Sequence, residues 1–148
     1  MAATAWKFYN EAKKKIGNNV IQLDAGIPRM ELLTSASNAS TTTISVETEL
    51  TGEIIAQGGY VAGGRSLATV AWTIAGDPSS VKFDAADLIF TASGANLSNV
   101  KFAAIHFSAG ATSGHLLCWS RLSTNQFSVT SGNTLTIQFA TAGIFTLT

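Results

Sequence analysis

At 148 residues the chain fits a single domain with room for a core, and its nine Lys and Arg balance nine Asp and Glu to a net charge of zero. Charged residues are only 12%, about half the usual ~25%, and 18 Thr with 15 Ser take their place. That balance argues against a broad nucleic-acid footprint, and no apolar run is long enough for a transmembrane helix.

Charge is uneven along the chain. Lys7, Lys13, Lys14 and Lys15 face only Glu11 within the first 16 residues, so this segment carries +3 and the remainder −3. A Ser-, Thr-, Gly- and Ala-rich surface orders few flexible side chains on association, which suits an assembly component. The opening Met1-Ala2-Ala3-Thr4-Ala5-Trp6-Lys7 lacks an apolar core after a basic start, so no secretory signal is expected and synthesis is expected in the cytoplasm.

The first element predicted is a helix over 4–16. Thr4 is its candidate N-cap, and Ala5, Phe8, Tyr9, Ala12 and Ile16 fall on one stripe at helical spacing. Gly17-Asn18-Asn19 is the candidate stop, and the lysines suit the negative end of the helix dipole. This divides the chain into a helical arm, 1–17, and one β domain, 18–148. Removing the arm is expected to leave a folded β domain with weakened assembly.

Strands are predicted at Val20–Leu23 and Arg29–Thr34, then a Ser/Thr-rich loop over 34–45. Ile54–Val61 is interrupted by Gly58-Gly59 and Gly63-Gly64. Ala68, Val70, Trp72 and Ile74 alternate with polar or small neighbours, and Asp77-Pro78-Ser79 reads as the turn that ends this strand. Further strands are expected at Val81–Asp84, Leu88–Thr91, Val100–Phe107, Leu116–Ser120, Phe127–Thr130, Leu135–Phe139 and Ile144–Thr148, with Gly110–Gly114 as a loop. Short strands punctuated by turns predict a mainly β fold, a β-sandwich or jelly-roll-like domain with one short N-terminal α-helix.

Candidate chemistry is sparse. His106 and His115 lack zinc-motif spacing and would meet only if a hairpin brought them face to face. Glu47/Glu49 and Asp84/Asp87 read as a solvated edge and a self-capped turn. Gly63-Gly64-Arg65-Ser66 leads into a strand, where a phosphate loop would need a Lys and a helix. Cys118, within Leu116-Leu117-Cys118-Trp119, reads as a small buried hydrophobe. No catalytic residue, metal site or cofactor is assigned, and an enzyme is not expected. The site proposed from sequence is a protein interface on Trp6, Phe8, Tyr9, Lys13, Lys14 and Lys15. A solvated helix end or an arm docking on an acidic protein surface is favoured there over contact with nucleic acid.

Three stretches carry a resemblance. They are Ala5–Gly17 with Leu32–Ala39; Gly59–Arg65 with Val81–Asp87; and Ser131–Ile137 with Gly143–Leu147. Over nearly its full length the chain resembles small structural proteins of tailed-bacteriophage virions. The resemblance implies a capsid cement or decoration protein, a homo-oligomer such as a trimer, contacting the major capsid protein or other virion proteins without a membrane. The alternative it leaves open is a tail or tail-tip component for host attachment, with the 34–45 loop binding a glycan.

Overall fold

The computed structural model describes residues 4–109 and 112–148. In chain order the elements are β1 (Lys7–Phe8), α1 (Ala12–Gly17), β2 (Ile27–Leu33), a single 3-10 turn (Glu47–Glu49), β3 (Arg65–Ser66), β4 (Ala71–Ala75), β5 (Asp77–Asp84), β6 (Leu88–Thr91), β7 (Leu97–Val100), β8 (Phe102–Ala109), β9 (Thr112–Arg121), β10 (Phe127–Val129), β11 (Thr134–Ile137) and β12 (Phe145–Leu147). The fold is mainly β with one short helix, as its residue pattern predicts.

The largest sheet has five antiparallel strands in the order β1-β9-β8-β2-β3. Its middle is built from the chain's most continuous apolar runs. Met30–Leu33, Ala103–Phe107 and Leu116–Ser120 are buried without alternation, the pattern of strands covered on both faces. A second antiparallel sheet, β12-β5-β4, packs on one of these faces. Phe83 lies 6.0 Å from Phe107, and Phe145 meets Phe8 edge-on at 4.5 Å between ring centroids. The arrangement is sandwich-like, with the two-stranded pairs β10-β7 and β11-β6 alongside.

The amino-terminal segment departs from expectation. The predicted helix over 4–16 is confined to Ala12–Gly17, and residues ahead of it add an edge strand to β9. Thr4 is not an N-cap: its Oγ1 accepts the Arg121 amide at 3.0 Å, and its own amide donates to the Arg121 carbonyl. Tyr9 donates its amide to the Leu117 carbonyl. An open edge satisfies these backbone groups, and Trp6, Phe8 and Tyr9 are the aromatic residues that strands favour.

The segment is tied to the body rather than standing off it. Tyr9 and Ala12 are fully buried within the same core as Met30, Leu32 and Ile105. The helix stops at Asn19, which adopts φ 57°, while Gly17 stays helical. The Val20 and Asn19 amides reach back to the Lys15 and Ile16 carbonyls, a Schellman-type closure.

Two further expectations are corrected. Val20–Leu23 is not a strand but a bend leading into a turn, although Ile21 and Leu23 are buried as an alternating pair would be. Asp77-Pro78-Ser79 does not end the preceding strand but begins β5. The reversal falls on Gly76 at φ 67°, leaving Asp77 Oδ1 to accept the Ser79 amide at 2.9 Å. Of the loop expected at 110–114, Gly110 and Ala111 lie outside the described residues, and β9 already begins at Thr112.

Candidate functional site

The residues expected to form an interface divide into two groups. The aromatic members face the chain's own core: Trp6 and Phe8 are half-buried against Phe139 and Phe145, and Tyr9 is buried completely. Lys13 lies 5.3 Å above the Phe8 ring, and Lys14 reaches Glu11 at 3.7 Å in an exposed pair. Lys15 donates to the Ser45 carbonyl at 2.9 Å and lies 3.2 Å from His115 Nδ1. Lys13 and Lys14 therefore present charge outward, Lys15 is tied to the body, and the aromatics anchor the segment that carries them.

The histidines do not meet. His106 pairs with Leu116 and its neighbour Phe107 with His115, so the two imidazoles take opposite faces of the sheet. His115 is held below its ordinary pKa by partial burial and by the Lys15 ammonium. His106 is buried, and its Nε2 lies 3.1 Å from Oε1 of the equally buried Glu31. Strand register brings them together, because Arg29 stands opposite His106 and places Glu31 two residues along on the same face. Burial raises the Glu31 pKa, the Glu53 and Glu47 carboxylates add to the rise, and His106 opposes it. The contact is short but misaligned, leaving both side chains, with the buried Tyr9 hydroxyl, short of hydrogen-bond partners among the described residues.

The remaining sequence candidates serve the fold. Glu49 Oε2 accepts the Ser45 and Val46 amides, which holds its carboxyl below the usual range. Asp84 pairs with Lys82 at 3.2 Å, and Asp87 accepts the Phe139 amide. In the glycine-rich stretch, the Gly63 and Gly64 carbonyls accept from the Arg29 guanidinium. Cys118 is buried, and desolvation pushes its thiol pKa well up. No group of three metal-ligating side chains occurs among the described residues.

Two features emerge only in three dimensions. The first is the β4 edge, Ala71-Trp72-Thr73-Ile74-Ala75, which pairs with β5 on one side only. Ile74 stands two residues from half-buried Trp72 yet is 66% exposed, next to the shift in register between Ile74 and Ala75. The second is a basic pocket of about 240 Å³ beside β1, β8 and β9, lined by Lys7, Lys101, Arg121, Phe102 and Trp119 with Thr4 and Ser40. Lys7 stands opposite Trp119 and Phe102 opposite Arg121 in the register, which puts all four on one face. These residues are scattered in sequence, and antiparallel pairing alone assembles them.

Comparison with protein-family models, with curated proteins and with solved structures finds no match to this chain.

Proposed function

We propose that this chain is a structural protein of a tailed-phage particle, a cement or decoration subunit that joins to its own copies and to major capsid subunits. The virion reading rests on the sequence resemblance. The observation that carries self-assembly is the β4 edge. Natural edge strands are blunted by charge, proline or strong bulges; Ala71–Ala75 contains neither a charge nor a proline, and its register with β5 is regular from Ala71 to Ile74, shifting only between Ile74 and Ala75.

Its order is nearly palindromic about Thr73. Antiparallel pairing with a second copy sets Ala71 against Ala75, Trp72 against Ile74 and Thr73 against Thr73. A two-fold interface demands such self-complementarity, and the Trp–Ile and Thr–Thr pairs are among those that stabilise sheets. The pairing merges two three-stranded sheets and covers the exposed Ile74 with the partner's indole.

Location tests the virion reading. The chain carrying a carboxy-terminal label should decorate the shell of intact phage particles in electron micrographs. Label confined to tails, or absent from particles that otherwise assemble, contradicts the cement role.

A further inference from the structure

The basic pocket points to a ligand that the assembly reading does not require. Lys7, Lys101 and Arg121 are three of the chain's nine cations. No carboxylate lines the pocket, and none of the three forms an ion pair among the described residues. Lys7 lies 5.4 Å above the Trp119 ring and Lys101 5.6 Å above Phe102, so an aromatic face favours each ammonium at the pocket. Thr4 is fixed through its hydrogen bonds to the Arg121 amide and to Ser120.

Preorganised like charges on a rigid sheet repel one another until an anion enters, and ordering them in advance lowers the cost of binding one. At about 240 Å³ the space falls below the roughly 300–1,000 Å³ of sites that enclose a drug-sized molecule. It suits one terminal group. Three cations from β1, β9 and the residue joining β7 to β8 match an anion with several oxygens better than a carboxylate, for which one Arg fork suffices. Lys7 and Arg121 are exposed, so the mouth opens to solvent and the anion can remain attached to a larger molecule.

We propose that this pocket binds a single sulfate or phosphate ester displayed at the end of a larger molecule. The test is an NMR titration of the full chain with inorganic sulfate and phosphate at constant ionic strength. Saturable shifts are expected at the Lys101, Phe102, Trp119 and Arg121 amides, with Kd on the order of 1 mM. Lys101→Gln with Arg121→Gln should weaken binding at least about tenfold, since two charge-assisted contacts are lost. Neither side chain is buried, so the fold should persist, and Lys7→Gln alone should give a smaller loss in the same direction. Lys13→Gln with Lys14→Gln should change nothing.

Glucose 6-sulfate and glucose 6-phosphate then identify the source, the tighter naming a sulfated or a phosphorylated ligand. Shifts that never saturate overturn the proposal, as does equal weakening by the Lys13/Lys14 variant. Duplex DNA that shifts the Lys13 and Lys14 amides in place of these four also overturns it, by assigning anion binding to the helix.

Discussion

A chain lacking residues 1–17 will fail to give a stable β domain. This reverses the outcome expected from sequence, and the reason lies in two side chains and one edge. Tyr9 and Ala12 are fully buried with the strands of the large sheet, and Lys7–Phe8 covers the outer edge of β9. Truncation strips an aromatic from the core, exposes that edge and leaves Phe145 without Phe8. Replacing a buried aromatic by alanine alone costs about 3–5 kcal/mol, and a domain of this size holds only about 5–15 kcal/mol in total.

Tyr9→Ala should therefore lower the urea midpoint sharply, and the truncation should abolish the cooperative transition. Lys13→Ala with Lys14→Ala should do neither, because both lysines are exposed. A truncated chain that melts cooperatively near the wild-type midpoint would show that the segment is a detachable arm after all.

The second large effect concerns Glu31 and His106. Removing one of two buried polar side chains that face each other leaves the survivor desolvated without its partner, at a cost of about 1–3 kcal/mol and more where the survivor is charged. His106→Leu should show that loss at neutral pH and a smaller one in acid, where Glu31 is protonated. The sign for Glu31 follows from its raised pKa in the folded chain. The folded chain holds that proton more tightly than the unfolded one, so its contribution to stability is complete below the ordinary value of 4.5. It is lost as pH rises through the folded value. Glu31→Gln keeps the shape, removes the charge and should flatten this dependence. Urea midpoints across a pH series measure it, and an unchanged slope in Glu31→Gln would assign the dependence to other groups.

How far these features are legible in the sequence depends on their range. Leu135–Phe139 alternates cleanly and Leu88–Thr91 is rich in strand-forming residues; they fall on β11 and β6, which pair with each other. The apolar runs of β8 and β9 read as strands, and their burial on both faces follows from the absence of alternation. The Trp6–Tyr9 stretch misleads because adjacent Phe8 and Tyr9 fit a helical stripe as well as the two faces of an edge strand. Only the open edge of β9, more than a hundred residues away, decides between them. Ile21 and Leu23 imitate a strand by burial at alternate positions, while their backbone is shaped by the helix closure at Lys15 and by the Gly26 amide reaching back to Gln22.

The basic Lys13–Lys15 cluster is local and visible, whereas the pocket formed by Lys7, Lys101 and Arg121 has no local signature. Long-range register makes it, and a single sequence does not reveal register. The exposed Ile74 is hidden in the same way. Its alternation with Trp72 promises burial, yet the side chain is left in water beside the shift in register that follows it.

Self-association through β4 is the central claim, and mass by sedimentation equilibrium over a range of concentrations tests it most directly. The wild-type chain should form a species heavier than its 15.4 kDa monomer. Ile74→Lys, which sets a charge against the partner's Trp72 at a position already exposed in the monomer, should sediment as a folded monomer throughout. A wild-type chain that stays monomeric at the highest concentration, or an Ile74→Lys chain that associates as the wild type does, would contradict it.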